Sequence, residues 1–250
     1  MILAAGQGTR LRPLTCDRPK ALVPLLGKPL IERQIEILRA EGVDEIVVIG
    51  GYRGEMLEGL GVEVVINSDY ADTNMVASMM VAADFVGRGD GDLLVGYGDI
   101  VYTRANLRTV METEGDVSLM IDRAWRELWS LRFADPLSDA ETLRIGDDGR
   151  IAELGEKPQG YDQIEGQYTG LIRVDATRTG AFRSAWDAQP AEGRANMYMT
   201  RFLQNLVEAG WAVLPAWVES GWLEVDTVED LATYERLAGE GKLAAFYGEC

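Results

Sequence analysis

Short apolar segments alternate with helical segments through the first half of this chain. The predicted strands are residues 1–4, 45–49, 62–66, 93–95 and 117–121. The predicted helices among them are residues 29–41, 75–85 and 104–113. Because a parallel strand reaches its neighbour through a crossover, usually a helix, this alternation predicts βαβ units. We therefore expect an α/β fold with a mixed, mainly parallel sheet that is covered by helices on both faces.

The second half of the chain follows a different pattern, in which turns separate shorter strands. Asp147-Asp148-Gly149 predicts a hairpin turn between strands at 142–145 and 150–154. The remaining predicted elements are a strand at 167–174 and helices at 197–209 and 228–238. No stretch has the composition of a linker, so residues 1–250 are expected to form one domain. Within it we expect a core at 1–121 and an antiparallel-rich lobe at 122–250.

Charge and residue composition exclude several classes of function. The formal net charge of −17 argues against nucleic acid as a partner, because phosphate backbones need a basic surface. The chain has no histidine, which removes Ser-His, Cys-His and His-metal chemistry. No apolar run approaches the ~20 residues that span a bilayer, so we expect no membrane partner. The only cysteines are Cys16 and Cys250, which fits a cytoplasmic protein without disulfides.

A loop with two glycines and several cations follows the first predicted strand. Gly6 and Gly8 let the backbone approach a ligand closely and turn its N–H groups toward an anion. Arg10, Arg12 and the later Lys20 add positive charge around the same loop. Three cations at such a loop would stabilise a triphosphate and the charge that develops on its α-phosphate during transfer.

Other phosphate-binding motifs fit this loop poorly. A dinucleotide fingerprint needs a third Gly or Ala where Leu11 stands, and Pro13 interrupts any helix there. A Walker loop needs Gly-Lys followed by Ser or Thr, whereas Gly27-Lys28 is followed by Pro29. An isolated pair of glycines is more simply explained as part of a solvated loop without a ligand. The run of matching residues from Leu3 to Lys20 is much longer than such a pair, which argues against that alternative.

The run Leu3-Ala4-Ala5-Gly6-Gln7-Gly8-Thr9-Arg10-Leu11-Arg12-Pro13-Leu14-Thr15, closed by Pro19-Lys20, resembles the signature of the sugar-phosphate and phosphocholine nucleotidyltransferases. This resemblance implies a Rossmann-like core that binds a nucleoside triphosphate and transfers its nucleotide, with release of pyrophosphate. It also implies that Arg10 and Lys20 are the catalytic cations. The implied nucleotide-binding residues of the loop are Leu3, Ala5, Gly6, Gly8 and Thr9. The family often forms dimers, so a homodimer is a further expectation.

A divalent cation is expected, because attack by one phosphate on another brings anions together. Gly98 and Asp99 follow a predicted strand, at the edge where open parallel sheets bind ligands, and Gly98 is a further predicted nucleotide-binding residue. The family resemblance places one Mg²⁺ ligand at Asp99 and a second acidic ligand in Glu224-Val225-Asp226. We take Asp226 as that ligand and Glu224 as its alternative, although Asp226-Thr227 also reads as a helix cap.

The segment Asn74-Met75-Val76-Ala77-Ser78 is similar to the segment that lines the base and ribose pocket in phosphocholine cytidylyltransferases. Asn74 and Ser78 would present amide and hydroxyl groups to a pyrimidine, which favours CTP over UTP or another triphosphate. On position alone, Asn74 is equally a helix cap.

Tryptophans and carboxylates of the second half form the candidate acceptor site. Aromatic rings with nearby carboxylates suit an ammonium group, although each ring alone is more simply core packing. The candidate set is Trp125, Trp129, Tyr168, Trp217 and Trp222 with Glu153 or Glu165. Arg132 and Lys157 would hold the acceptor phosphate or a carboxylate. Gln167 and Gly170 complete the predicted site.

The Trp-rich segments, with Glu165-Gly166-Gln167-Tyr168, resemble a bacterial branch of phosphocholine cytidylyltransferase-like enzymes. That branch includes enzymes that form CDP-glutamine for capsule modification. The sequence thus predicts CMP transfer from CTP to a small phosphorylated acceptor bearing an amine, ammonium or amino-acid group. A sugar-1-phosphate nucleotidyltransferase and a catalytically silent nucleotide-binding regulator are the alternatives.

Overall fold

The computed structural model describes residues 1–248, so Cys250 lies outside the described residues. The strands are β1 (Ile2–Ala4), β2 (Pro24–Leu25), β3 (Lys28–Pro29), β4 (Val47–Gly50), β5 (Glu63–Ile66), β6 (Leu93–Tyr97), β7 (Ile100–Tyr102), β8 (Val117–Asp122), β9 (Leu143–Ile145), β10 (Ile151–Leu154), β11 (Gln167–Val174), β12 (Val213–Val218) and β13 (Trp222–Glu224). The helices are α1 (Leu30–Ala40), α2 (Met75–Met80), α3 (Ala83–Val86), α4 (Arg104–Glu112), α5 (Trp125–Arg132), α6 (Thr179–Asp187), α7 (Ala191–Arg194), α8 (Met199–Glu208), α9 (Val228–Gly239) and α10 (Ala244–Tyr247).

A seven-stranded sheet with the order β12-β8-β11-β6-β1-β4-β5 forms the centre of the fold. Neighbouring strands are parallel except around β11, which runs antiparallel to both β6 and β8. The predicted mixed, mainly parallel sheet is therefore confirmed. Strands from both halves of the chain share this sheet. The single domain, and its division at 121/122 into a core and a lobe, stay predictions.

The reversed direction of β11 places its first residues at the edge where its neighbours end. Gln167 pairs with Asp122, the last residue of β8, and Leu171 pairs with Gly96 near the end of β6. The pairing with β8 shifts register between Tyr168 and Ile172. Gly170 lies in this irregular stretch with φ of 87°, where a Cβ atom would lie 2.6 Å from the Tyr97 ring. Residues from both halves of the chain thus meet at one edge of the sheet.

Alternate strand residues pack on opposite faces of the sheet, as period-two alternation requires. In β1, Ile2 and Ala4 join the core beneath α1, α4, α5 and α9, whereas Leu3 joins the core beneath α2, α3, α6 and α8. The helices therefore cover both faces, as the strand-helix alternation predicted. Among residues 1–248, no helix has the length and apolar content to cross a membrane.

Most predicted elements occur within a few residues of their expected bounds. The hairpin turn at 147–149 joins β9 and β10, and Gly149 has φ of 78°. Thr227 caps α9 and forms a capping box with Asp230. The single helix predicted at 75–85 is wrong, because the backbone leaves helical geometry at Ala82 (φ −103°, ψ 43°) and separates α2 from α3.

Candidate active site

The loop after β1 is shaped to place Lys20. Gly8 has φ of 66°, and a Cβ atom added to it would lie 2.9 Å from the Lys20 Cβ. The hydroxyl of the buried Thr15 donates a hydrogen bond to the Gly8 carbonyl at 2.8 Å and fixes the turn. Glycine at position 8 therefore serves both the left-handed backbone and the close approach of the Lys20 side chain.

Lys20 and Arg10 reach carboxylates that lie far away in the sequence. The Lys20 ammonium donates to Asp99 at 2.7 Å and also to Asp226, and the Arg10 guanidinium donates to the other oxygen of Asp226. The Lys20 side chain is 12 % exposed. Burial alone would lower the pKa of Lys20, but the facing carboxylates Asp99 and Asp226 outweigh it and raise that pKa above its usual value. Lys20 is therefore charged at neutral pH.

Three carboxylates form a compact group at the edge of the sheet. Ligand oxygens of Asp99, Glu224 and Asp226 all lie within 4.8 Å of one another. β13 pairs with β7, and the Val225 N–H donates to the Asp99 carbonyl at 3.0 Å, which brings the two acidic segments together.

Burial raises the pKa of Glu224 to about 7 against the opposing effect of Arg132. Burial also acts to raise the pKa of Asp226, but Lys20 and Arg10 hold it below its usual value.

The carboxylate group fits a hard divalent cation. Such ions take carboxylate oxygens and keep several waters, so two or three acidic residues are enough. One oxygen of Asp99 is buried and accepts no hydrogen bond from any described residue, which leaves it available as a ligand. Asp99, Asp226 and Glu224, the predicted metal residues, are thus brought together.

The turn that carries Asp99 is stabilised by hydrogen bonds from Gln34, a residue that was not predicted from the sequence. The fully buried Gln34 amide donates to the carbonyls of Tyr97 and Ile100, both at 2.8 Å. At Gly98, a Cβ atom would lie 2.8 Å from the Leu3 carbonyl oxygen, so β1 packs tightly against the turn. A glutamine on the otherwise apolar face of α1 was the available signal for this brace.

A cavity beside Lys20 contains most of the predicted nucleotide-binding residues. Its lining comprises Leu3, Ala4, Ala5, Gly6, Lys20, Ala21, Tyr70, Thr73, Asn74, Met75, Ser78, Tyr97, Gly98 and Asp99. The Asn74 carboxamide accepts from the Met75 N–H at 2.8 Å and caps α2, so it is both a cap and a cavity residue. Gly8 lies against Lys20 and Thr9 is exposed, and neither belongs to this lining.

A second cavity adjoins the first and shares Met75 and Tyr97 with it. The further residues that line it are Arg10, Ile100, Trp129, Asp139, Glu141, Gln167, Tyr168, Thr169, Gly170, Tyr198, Met199, Thr200, Trp222, Glu224 and Asp226. The carboxylate group therefore lies where the two cavities meet. Five of the predicted acceptor residues line this cavity: Trp129, Gln167, Tyr168, Gly170 and Trp222.

The second cavity offers acidic and aromatic groups in fixed positions. Gln167 exchanges hydrogen bonds with the Glu141 backbone at 3.0 and 2.6 Å. Burial, with Asp139 and Glu156 nearby, raises the pKa of Glu141. The Trp129 ring N–H is buried and makes no hydrogen bond within residues 1–248. A ligand here meets carboxylates, rings and the unsatisfied Trp129 donor.

The other predicted acceptor residues lie outside this cavity lining. Arg132 is bonded to Glu224 and Asp230, and its side chain is 1 % exposed. The Lys157 ammonium donates to two backbone carbonyls, at Leu137 and Ser138, and the rest of its side chain is exposed. Glu153 lies on β10 and lines neither cavity. The residues after it, Leu154 and Gly155, line a third cavity that shares Glu141, Tyr198 and Thr200 with the second.

The remaining candidates of the aromatic set are used elsewhere. Trp125 packs edge-on against Trp129 with ring centroids 5.9 Å apart, and Trp217 stacks under Arg123 at 4.1 Å. Glu165 accepts from the Ile145 N–H at 2.8 Å. Asp139 and Glu141, two of the four carboxylates that line the second cavity, were not predicted from the sequence, because no motif marks them.

Comparisons with known proteins agree with this geometry. The MobA-like NTP transferase domain matches residues 1–137. The chain is 38% identical over 245 residues to the CTP:phosphoglutamine cytidylyltransferase of Campylobacter jejuni, covering 92% of this chain and 96% of that one. It also resembles the solved CTP:phosphocholine cytidylyltransferase of Streptococcus pneumoniae (25% identity, TM-score 0.71, 95% and 97% coverage).

The solved inositol-1-phosphate CTP transferase of T. maritima has the same fold, with 23% identity, a TM-score of 0.73, and coverage of 97% and 94%. The family model and the Campylobacter jejuni relative together show that the chain is a nucleotidyltransferase and belongs to the MobA-like NTP transferase family.

Proposed function

We propose that this protein transfers CMP from CTP to a small phosphorylated acceptor that bears an amine, ammonium or amino-acid group, and releases pyrophosphate. The observation that carries the proposal is the position of Lys20 and the three carboxylates between two adjoining cavities. The cytidine specificity is supported by the Campylobacter jejuni and Streptococcus pneumoniae enzymes, both of which use CTP according to their names.

The reaction needs groups that hold phosphates rather than groups that remove protons. An oxygen of the acceptor phosphate forms a bond to the α-phosphorus of CTP, and the bond from that phosphorus to the α,β-bridging oxygen breaks. Lys20 and Arg10 would turn from Asp226 toward the phosphates and stabilise the charge in the transition state. A phosphate is already ionised at neutral pH, so a chain without histidine needs no replacement for a general base.

We propose Mg²⁺ as the ion held by Asp99, Glu224 and Asp226. When bound, such an ion screens the negative charge of the reacting phosphates. The carboxylates would bind the ion through oxygens that Lys20 and Arg10 now contact, together with the buried Asp99 oxygen that has no donor. The ion is thus expected to bind more tightly when a triphosphate draws Lys20 and Arg10 away from these carboxylates.

The acceptor preference follows from the charge of the second cavity. Of its lining residues, Asp139, Glu141, Glu224 and Asp226 are acidic and only Arg10 is basic. Glu224 and Asp226 belong to the metal group, which leaves Asp139 and Glu141 to meet a cationic end of the acceptor. The rings of Trp129 and Trp222 lie in the same cavity and would add cation–π contact.

Pyrophosphate release tests the proposal directly. Each of CTP, UTP, ATP and GTP is combined with phosphocholine, aminoethyl phosphonate, phosphoglutamine and a hexose 1-phosphate, with Mg²⁺ and with EDTA. We expect release with CTP and an amine- or ammonium-bearing acceptor, and none in EDTA. Activity with hexose phosphates alone would establish the sugar-1-phosphate alternative, and silence in every well would favour the regulatory one. The homodimer and the cytoplasmic location stay predictions.

A further inference from the structure

Arg132 lies behind the carboxylate group, on the last turn of α5. Its Nη1 donates to Glu224 at 2.5 Å, and its Nε and Nη2 donate to the two oxygens of Asp230 at 3.1 and 3.4 Å. The Arg132 side chain is 1 % exposed, and Asp230 is 4 % exposed. One forked guanidinium therefore joins β13, which carries Glu224, to the first turn of α9.

Asp230 extends this contact to the backbone of the next metal residue. One of its oxygens accepts from the N–H groups of Asp226 and Thr227, both at 2.9 Å. The N–H of Asp230 donates to the Thr227 hydroxyl at 3.1 Å, which closes the capping box. Arg132 thus holds the Glu224 carboxylate directly and the Asp226 backbone through Asp230.

We propose that Arg132 is a positioning residue for the divalent-cation site. This inference rests on the proposed function, because it gives Glu224 and Asp226 the role of metal ligands. Three carboxylates within 4.8 Å repel one another, and Lys20, Arg10 and Arg132 are the cations that contact them.

Lys20 and Arg10 line the cavities and can turn to the phosphates, whereas Arg132 is buried outside both linings. Arg132 is therefore the cation that stays with the carboxylates when substrate binds. It keeps Glu224 and Asp226 at a separation that one ion can bridge.

The same helix also reaches the acceptor cavity. Trp129 lies one turn before Arg132 on α5, and the Arg132 guanidinium lies 5.4 Å from the Trp129 ring centre. Trp129 lines the second cavity through a ring whose N–H is unpartnered among the described residues. α5 therefore ties the position of the metal ligands to that of an acceptor-binding wall.

The decisive experiment measures Mn²⁺ binding to the full-length protein by the loss of the free-ion electron paramagnetic resonance signal. Arg132→Lys keeps the charge but cannot fork across both carboxylates. We expect its dissociation constant for Mn²⁺ to rise about 10- to 100-fold, the usual range for a partner of a metal ligand. The half-saturating Mg²⁺ concentration for pyrophosphate release should rise in parallel, while kcat at saturating Mg²⁺ changes less.

Arg173→Lys is the matched control. Arg173 is also a buried, forked guanidinium, with its side chain 9 % exposed between Asp92 and Asp175, and it lines neither cavity. The two variants should lose comparable thermal stability in EDTA, and only Arg132→Lys should lose Mn²⁺ affinity. Equal loss in both, or in neither, would overturn the proposal.

Asp230→Asn provides the test if Arg132→Lys does not fold. An asparagine oxygen can still accept from the Asp226 and Thr227 amides, but the negative charge facing Arg132 is gone. We expect weaker Mn²⁺ binding here too, and wild-type affinity would contradict the proposal. Asp99→Asn tests the metal site itself, apart from the role of Arg132. If this variant also binds Mn²⁺ like the wild type, Asp99, Glu224 and Asp226 are not the metal ligands, and the positioning role of Arg132 is refuted as well.

Discussion

Replacing Lys20 with methionine should have two opposite effects in one protein. Methionine keeps much of the length of the side chain but removes the ammonium that donates to Asp99 at 2.7 Å and to Asp226. In the reaction, the loss of one charge-stabilising donor is expected to lower kcat by about 10²- to 10³-fold. In the nucleotide-free protein, by contrast, a metal ion no longer competes with the ammonium for the same two carboxylates.

The size of the second effect follows from the hydrogen bonds that the ion must displace. A charge-assisted hydrogen bond contributes about 1.5–3 kcal/mol. If the ion displaces only one of the two Lys20 hydrogen bonds, this free energy corresponds to a roughly 10- to 100-fold change in affinity. Mn²⁺ should therefore bind to Lys20→Met more tightly than to the wild type by that factor. Both quantities are measured on one preparation, kcat by pyrophosphate release at saturating Mg²⁺ and affinity by titration without nucleotide.

Lys28→Met is the control, because Lys28 forms an exposed ion pair with Glu36 and lines neither cavity. It should change both quantities little, as surface substitutions usually do. If Lys20→Met bound Mn²⁺ no more tightly than the wild type, the ammonium would not be competing for the metal ligands. A near-normal kcat in that variant would remove Lys20 from the transition state.

Two further predictions concern the loop and the acceptor cavity. Gly8→Ala places a Cβ atom 2.9 Å from the Lys20 Cβ at a φ of 66°, and it should cost about 1–3 kcal/mol of stability and lower kcat. Gly59→Ala, where a Cβ atom meets nothing within 4 Å, is its control in thermal unfolding and turnover. Burial raises the pKa of Glu141, so Glu141 loses its charge at a higher pH than an ordinary glutamate does. The KM of an ammonium-bearing acceptor should therefore rise as the pH falls, and Glu141→Gln should show a high KM with a weaker pH dependence.

Either of two results would contradict these predictions. If Gly8→Ala were as stable and active as Gly59→Ala, the space above Gly8 would not limit Lys20. If the acceptor KM of the wild type and that of Glu141→Gln followed pH alike, Glu141 would not meet the acceptor cation. The KM of CTP, measured alongside, should be unaffected by Glu141→Gln, because Glu141 does not line the nucleotide cavity.

The parts of the site that sequence predicted well are those encoded by contiguous residues. The loop that ends at Lys20 carries its glycines and cations in one run, and Asp99 directly follows the turn at Gly98. Glu224 and Asp226 were predicted because Glu224-Val225-Asp226 resembles an acidic motif of the nucleotidyltransferases. The structure brings these three segments together, as the carboxyl-edge rule for open sheets leads one to expect.

The parts that sequence could not predict depend on contacts between distant segments. Arg132 was expected to hold the acceptor, yet its partners Glu224 and Asp230 are separated from it by 92 and 98 residues. Glu141 enters the acceptor cavity because Gln167 holds its backbone, a contact that no local pattern reveals. Likewise, the helix predicted at 75–85 is interrupted at Ala82, although its residues are apolar throughout the break.

The reversal of β11 has a consequence for how the acceptor cavity can change. The cavity beside Lys20 is lined by residues up to Asp99. Most residues that line the second cavity come from later segments, namely Trp129 of α5, the segment at 139–141, the start of β11, and residues in 198–200 and 222–226. β11 runs antiparallel to β6 and pairs with the edge of β6 that faces away from β1. The start of β11 therefore reaches the reaction centre while the β1–β6 pairing beside the nucleotide is left intact. Substitutions at Trp129, at Glu141 or at the start of β11 can therefore change the acceptor cavity while the loop that ends at Lys20 and the β1–β6 pairing stay in place.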